Sequence, residues 1–460
     1  MSENKENLEA KKTPEIKNDD HLEVKETPKK EDDREVILEV KHLKQFFKFG
    51  GHQKLKAVND ISFKVYKGEV FGLVGESGCG KTTTGRTIIK LYKNTSGDVY
   101  YKGQRISAGT RWNEKEIKYK RIKTKAKIAE LKTQMEEELS ETKNEDKRAL
   151  IQEKYNALIF DVQKECDRVV KEQQEKIRAA RYDTKYGERD YARHQLEKVK
   201  EKYDPLIEKE TDPEKKAALI IERANEIRLA RKARMMTSMQ MIFQDPISSL
   251  DPRMTVKEII SEGLIIRGIK DKKLIEEKVY QVLEYVGLVR EHANRYPHEF
   301  SGGQRQRIGI ARAIVMDPDL IIADEPVSAL DVSIQAQVIN LLNDLRNDLN
   351  LSIIFIAHNL SVVKYFADRI AVMYFGKIVE LATSEELFKH PLHPYTRSLL
   401  SAIPLPDPNY EKSRVRITYN PLAEHDYSVD KPSFREVYPG HFVMCNEKEF
   451  QAIQEQLKNG

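Results

Sequence analysis

The sequence predicts an α/β fold organised on a mostly parallel sheet. Three observations point there. The stretch "GEVFGLVGESGCGKTTTGRTII" reads as a short apolar strand, a glycine-rich loop and a helix. The β-branched runs "LIIADEP" and "SIIFIAHNL" read as buried strands that end in polar residues. Between and after them, strand and helix patterns alternate to about Leu387.

Residues 1–34 mix Lys, Glu, Asp and Asn with almost no large apolar residues, and are expected to be a disordered charged tail. Its first residues, "MSENKENLEAKK", lack the apolar core of a secretory signal. The folded part is expected from 35 onward. "EVILEVKHLKQFFKF", "AVNDISFKVYKGEVFGLVG" and "SGDVYYKGQRIS" read as strands, with turns expected at Asn59-Asp60 and Lys67-Gly68.

Gly75 to Thr82 fits G-x-x-x-x-G-K-[ST]. Phosphate oxygens need several N–H donors at close range, and Gly75, Gly78 and Gly80 let the backbone approach without a Cβ in the way. Lys81 supplies a point charge for the outer phosphates, and the Thr82 hydroxyl can ligate Mg²⁺. The helix expected from Thr83 turns its free N–H groups toward the anion. Cys79 lies inside the loop, where its small size suffices to explain it. The three cysteines, Cys79, Cys166 and Cys445, show no metal-site spacing and suit a reducing compartment.

Between about 112 and 234 the text changes to Lys, Glu, Arg and Gln, and glycine almost vanishes. Ile151, Tyr155, Leu158, Val162, Cys166 and Val169 recur at steps of three or four, as in a coiled-coil seam. A helical hairpin or small bundle is expected, broken near Gly187 and near Pro205 to Pro213. Asp212 is a candidate N-cap, with Pro213 at the first helical position. The charges read as a solvated helix surface. The net charge of +5 over 460 residues gives no licence for nucleic acid. No run approaches the ~18 apolar residues that a membrane-spanning helix needs.

Further motifs follow. Gln244, after the strand of "SMQMIFQDP", can ligate Mg²⁺ and sense a γ-phosphate. "FSGGQRQRIGIARAI" places Ser301, Gly302, Gly303 and Gln304 at a helix start, a second anion-binding end. One nucleotide does not need two cradles on opposite sides, so this one is expected to cover the nucleotide of a second subunit. Asp324, ending "LIIAD", is placed to hold Mg²⁺, and Glu325 to polarise water as general base. Ser328, Ala329, Leu330 and Asp331 follow directly and would sit where two sites meet. His358 ends a strand at the sheet edge where ligands collect, and could bridge to the γ-phosphate.

Taken in order, GESGCGKT, Gln244, SGGQ, LIIADEP, SALD and His358 resemble the ABC ATPase nucleotide-binding domains. The resemblance covers about Val36 to Leu387 apart from the insertion. It implies a P-loop NTPase core with an antiparallel β subdomain and a helical subdomain, interrupted at 112–234. Phe300 stands where the family has Leu. The family stacks an aromatic ring on adenine, and Phe47 is the best match, with Phe46 beside it. "SMQMIFQDPISSLDPRMTV", "YPHEFSGGQRQRIGIARAI" and "HPLHPYTRSLLSAIPLPDP" look like the ATPase subunits of oligopeptide/dipeptide importers. "EVYPGHFVMC" is similar to the F-type subunit, and residues 388–460 read as that family's accessory extension. Some relatives carry cysteines suited to an iron–sulfur centre there, whereas only Cys445 lies in this tail. The resemblance implies ATP and Mg²⁺, and a head-to-tail dimer with a second, unlike ATPase subunit. It also implies two membrane permeases, an extracytoplasmic peptide-binding protein, and a peripheral place on the cytoplasmic face of the membrane. The rival reading is a soluble ATPase of DNA repair or chromosome maintenance, which shares the motifs and carries long coiled coils. In that class the coil separates the Gln motif from SGGQ, whereas here the insertion precedes Gln244.

Overall fold

The structure is a computed structural model, and it describes residues 34–48, 50, 53–403 and 416–459. The expected charged tail falls almost wholly outside the described residues. The elements run β1 (Val36–Lys48), β2 (Lys54–Tyr66), β3 (Val70–Val74), α1 (Lys81–Ile88), β4 (Ser96–Tyr101) and β5 (Gln104–Thr110). Three long helices follow: α2 (Arg111–Glu141), α3 (Glu145–Lys209) and α4 (Pro213–Arg231). Then come β6 (Met239–Ile242), α5 (Pro246–Ser249), α6 (Val256–Arg267), α7 (Lys272–Tyr285) and α8 (Gly302–Ile314). The second half continues with β7 (Leu320–Asp324), α9 (Val332–Leu349), β8 (Ser352–Ala357), α10 (Leu360–Lys364), β9 (Arg369–Tyr374) and β10 (Lys377–Thr383). The chain closes with α11 (Ser384–Lys389), α12 (Pro394–Ser401), α13 (Pro421–Glu424), β11 (Ser433–Tyr438), β12 (His441–Cys445) and α14 (Glu447–Asn459).

An eight-stranded sheet has the order β11-β12-β10-β9-β3-β8-β7-β6. From β9 to β6 every pairing is parallel. Strands β3, β7 and β8 are buried throughout. That is the burial of a parallel strand covered on both faces, and it accounts for their unbroken apolar runs. Side chains alternate between the two faces at a period of two. Val70, Val74, Ile321, Ala323, Ile353 and Phe355 join one core with the apolar sides of α6 to α9. Phe71, Leu73, Leu320, Ile322, Ile354 and Ile356 join the other, with Ile88 and residues of β1, β2 and β4. Those strands form a second, four-stranded sheet, β2-β1-β4-β5, with antiparallel pairing throughout.

The expected turn at Asn59-Asp60 is instead a bulge inside β2. Asp60 and its neighbour across the pair, His42, both have left-handed φ values (72° and 48°), and the ladder shifts register between Val40 and Lys44. The His42 ring and the Asp60 carboxylate hydrogen-bond at 2.9 Å, so the extra residues are locked by a side-chain pair instead of reversing the chain.

The insertion departs from expectation at its breaks. Helix α3 runs through both Gly187 and Pro205, about 98 Å at 1.5 Å per residue. The chain reverses at 142–144 and 210–212. Asn144 and Asp212 cap the helices that follow, and Pro213 opens α4. Gly187 marks close approach to β5. Its carbonyl accepts from Gln104 Nε2 at 2.9 Å, and a Cβ there would lie 3.1 Å from that same atom. Arg105 Nε reaches Asp183 at 2.7 Å, and Glu188 accepts the backbone N–H of Met235 at 2.8 Å. So α3 is pinned to the core near its middle, packing on α2 before that point and on α4 after it. Tyr203–Glu222 and Asp204–Arg223 contacts flank Pro205, so tertiary pairing carries the helix past the missing N–H. Tyr155 and Cys166 of the expected seam are buried, and Val170, Ile177 and Ala180 continue it, whereas Leu158 is exposed.

After α11 the described residues return to the main sheet. Strand β12 pairs antiparallel with β10, and β11 with β12, so the extension adds a hairpin to the main sheet. Its anchor is Glu380 of β10, which is fully buried. Its carboxylate accepts the N–H groups of Leu392 (2.8 Å) and His393 (3.0 Å) and meets His441 Nε2 at 2.8 Å. A buried carboxylate is tolerated only with such full pairing.

Candidate nucleotide site

The site begins where β3 turns into α1. Gly75 has φ 147°, and a Cβ on it would stand 2.2 Å from the carbonyl oxygen of Met373. Gly80, the N-cap of α1, has φ 110°, and its Cβ would stand 2.2 Å from the carbonyl oxygen of Ala57. The loop is therefore threaded between β9 and β2 at a spacing only glycine permits. Gly78, at φ 82°, is different: an added Cβ would meet nothing within 4 Å. That open side, with Glu76, Ser77 and Gly78 exposed, is the cradle that a phosphate would fill.

Lys81 is buried at the centre, its ammonium donating to the carbonyls of Gly75 (2.8 Å) and Glu76 (2.9 Å) and lying 3.9 Å from Glu325 Oε1. The Cys79 thiol is 3.9 Å from the same ammonium. Burial pushes the Cys79 thiol above its ordinary range, which is the environment of a small packing residue and not of a thiolate. Thr82 Oγ donates to Asp324 Oδ1 at 2.7 Å, while Thr83, the next residue, is half-buried.

Asp324 ends β7 with no exposed surface. Burial drives its carboxyl above the usual range, against the pull of Thr82 and Arg86. Its Oδ2 is buried without a hydrogen-bond partner, with Arg86 Nη2 at 3.9 Å. An orphaned carboxylate oxygen on a group that also holds a threonine hydroxyl is a donor set that suits a hard divalent cation such as Mg²⁺.

Glu325 follows in a left-handed conformation, φ 45°, a strained position for a residue with a side chain. Its N–H is tied to the Ile356 carbonyl at 3.0 Å. Its Oε2 meets Gln244 Nε2 at 2.9 Å and His358 Nδ1 at 3.2 Å. Ends of four neighbouring strands, β3, β6, β7 and β8, thus bring Lys81, Gln244, Asp324, Glu325 and His358 together at one sheet edge.

Of the other expected residues, Ser328 stays beside that group, its N–H and its Oγ both donating to the Glu325 carbonyl, at 3.2 and 3.1 Å. Phe47, on β1, is half-buried with Tyr92 edge-on to its ring at 5.3 Å. Ser301 caps α8 in a reciprocal box with Gln304: Ser301 Oγ accepts the Gln304 N–H at 3.3 Å, and Gln304 Oε1 accepts the Ser301 N–H at 3.1 Å. Among the described residues, no hydrogen bond joins Ser301, Gly302, Gly303 or Gln304 to the Lys81 centre. Leu330 of the turn Ser328, Ala329, Leu330, Asp331 packs beside Gly302, and Asp331 takes the N-cap position of α9 without a side-chain cap bond. Sequence reasoning missed Tyr395, whose hydroxyl accepts the Glu76 N–H at 3.1 Å. It stands within "HPLHPYTRSLLSAIPLPDP", but only spatial proximity gives it a place at the loop.

Residues 58–203 and 206–328 match the ABC transporter family, and residues 379–430 match the oligopeptide/dipeptide transporter C-terminal region. The chain belongs to the ABC transporter ATPases. The oligopeptide transport ATP-binding protein OppF of Bacillus subtilis is 44% identical over 91% of this chain and 99% of its own length. The dipeptide transport ATP-binding protein DppF of Lactococcus lactis is 38% identical over 90% of this chain and 95% of its own. A dimeric bacterial ABC transporter cassette, MJ0796, aligns at 18% identity with a TM-score of 0.44, covering 76% of this chain and 99% of that one. As an ABC ATPase the chain binds and hydrolyses ATP. Among the described residues, no helix is long and apolar enough to cross a membrane.

Proposed function

We propose that this chain is the ATP-hydrolysing subunit of an importer for oligopeptides or dipeptides, docked on the cytoplasmic face of the membrane. The relatives' peptide specificity and the peptide-transporter region at 379–430 support the substrate class. Its partners in this reading are a second, unlike ATPase subunit, two permeases and an extracytoplasmic peptide-binding protein. The loop from Gly75 to Thr83 cradles the phosphates, Lys81 neutralises the outer ones, and Phe47 stacks on adenine. Thr82, Asp324 and Gln244 would hold Mg²⁺, which supplies charge neutralisation at the phosphate oxygens. Glu325 orients and deprotonates the attacking water, and His358 holds Glu325 on one side while reaching for the γ-phosphate on the other. Ser301 to Gln304 close over the nucleotide of the partner ATPase, with Ser328 to Asp331 at the junction.

The observation that carries the catalytic assignment is the Glu325 carboxylate held between Gln244 and His358, next to Lys81. In the assembled importer, Glu325→Gln is expected to retain ATP while turnover falls by ~10²-fold or more and peptide uptake stops. Wild-type turnover in that variant would remove Glu325 from the role of base. The DNA-repair reading finds no support in relatives named for peptide transport.

A further inference from the structure

The C-terminal extension reaches the phosphate loop through a hydrogen bond. Glu76 N–H donates to Tyr395 Oη at 3.1 Å, across 319 residues of sequence. That N–H belongs to the peptide plane joining Gly75 to Glu76. The carbonyl of the same plane, Gly75 O, accepts the Lys81 ammonium at 2.8 Å. One rigid amide is therefore gripped on one edge by Tyr395 and on the other by Lys81.

Tyr395 is itself held. It is 2% exposed, with Tyr374 at 4.4 Å and Tyr419 at 5.5 Å between ring centroids. Tyr374 follows Met373, whose carbonyl presses on Gly75. Burial keeps the Tyr395 hydroxyl protonated well above the ordinary tyrosine range, so it is a neutral partner at any working pH. Its backbone N–H donates to His393 Nδ1 at 3.1 Å, and the His393 N–H donates to Glu380, which pairs with His441 of β12. A continuous set of bonds thus runs from the added hairpin to the loop.

We infer that Tyr395 is a positioning residue for the phosphate loop, fixing the Gly75–Glu76 peptide and with it Lys81, so that the C-terminal extension tunes ATP affinity. The inference rests on the proposed nucleotide site. Tyr395→Phe removes only the hydroxyl and keeps the ring packing. In the assembled importer, KM for ATP and the dissociation constant of a fluorescent ATP analogue are both expected to rise about three- to tenfold, the range of one lost neutral hydrogen bond, with kcat within twofold of wild type. Glu447→Gln breaks the Arg435–Glu447 pair elsewhere in the extension and is expected to leave both values unchanged. Lys81→Ala tests the site itself and is expected to abolish affinity. Unchanged KM in Tyr395→Phe beside lost affinity in Lys81→Ala would overturn the role of Tyr395 alone. An equal rise in Glu447→Gln would reduce it to general loosening of the extension. Retained affinity in Lys81→Ala would overturn the nucleotide site and the Tyr395 inference together.

Discussion

Gly75 and Gly78 look interchangeable in the sequence, three residues apart in one loop, yet the structure gives them opposite duties. A methyl on Gly75 would strike a backbone oxygen, which no rotamer change relieves, whereas one on Gly78 would project into the open cradle. Gly75→Ala is therefore expected to act on folding, with a loss above ~2 kcal/mol from backbone strain and clash. Gly78→Ala is expected to cost about 1 kcal/mol for its left-handed backbone while occupying the phosphate position. Thermal melts and ATP titrations on the same two variants separate these effects: the first melts early, and the second keeps most of its stability but binds ATP at least ~10-fold more weakly. A Gly78→Ala chain with wild-type ATP affinity would show that the open side is not where phosphate sits. The phosphate loop was legible because its chemistry is local, with turn, lysine and threonine contiguous in the chain. Tyr395 was not, because nothing near it in sequence hints at a partner 319 residues away.

Elements were readable where period and punctuation agreed, and misread where tertiary contacts overrode punctuation. Glycine and proline usually end helices, yet Gly187 and Pro205 lie inside α3, where β5 holds the helix at Gly187 and α4 holds it just before Pro205. Asn59-Asp60 has turn composition, but the partner strand absorbs it as a bulge. The docking of the extension at α12 carries a pH dependence that composition cannot show. His393 is buried, and burial first, then its electrostatic neighbours His425 and Arg397, lowers its pKa to about 3 from an ordinary 6.5. Its hydrogen-bond partners are Tyr395, whose backbone N–H donates to its ring, and Glu380, which accepts its own N–H. Because the unfolded chain takes up a proton that the folded chain refuses, the stabilisation is complete above pH 6.5 and declines as pH falls from there toward 3. At pH 5 the loss from this residue is about 2 kcal/mol. His393→Asn keeps an acceptor at the N-cap and removes the titration, so its unfolding free energy is expected to vary less between pH 7 and pH 5 than that of wild type. Denaturant melts at the two pH values check this, and identical slopes in both proteins would rule out His393 as the titrating group.

At the scale of the molecule, the arrangement of charge argues for a shared reaction centre. The Lys81 group gathers the proposed base, the proposed cation ligands and the proposed phosphate cradle at the ends of four strands. Among the described residues, no N–H donors from α8 reach it, although Ser301, Gly302 and Gly303 form a second anion-binding end. Transfer of a γ-phosphoryl spreads charge over several oxygens, and a cradle on one side stabilises only part of it. Each missing set of donors of this kind costs ~10²–10³-fold in rate. The full-length chain alone, diluted until it sediments as a monomer, is therefore expected to bind ATP through its own loop but to hydrolyse it at least ~10²-fold more slowly than the assembled importer. Ser301→Ala in the assembly is expected to slow turnover while leaving the affinity of the Lys81 loop in the same chain intact, because in the proposed dimer Ser301 serves the partner's nucleotide. The insertion, pinned through Asp183 and Gly187 to the start of β5, enters neither expectation. A monomer that hydrolyses ATP at the rate of the assembly would mean that one chain completes its own centre, and the second cradle would then need another ligand.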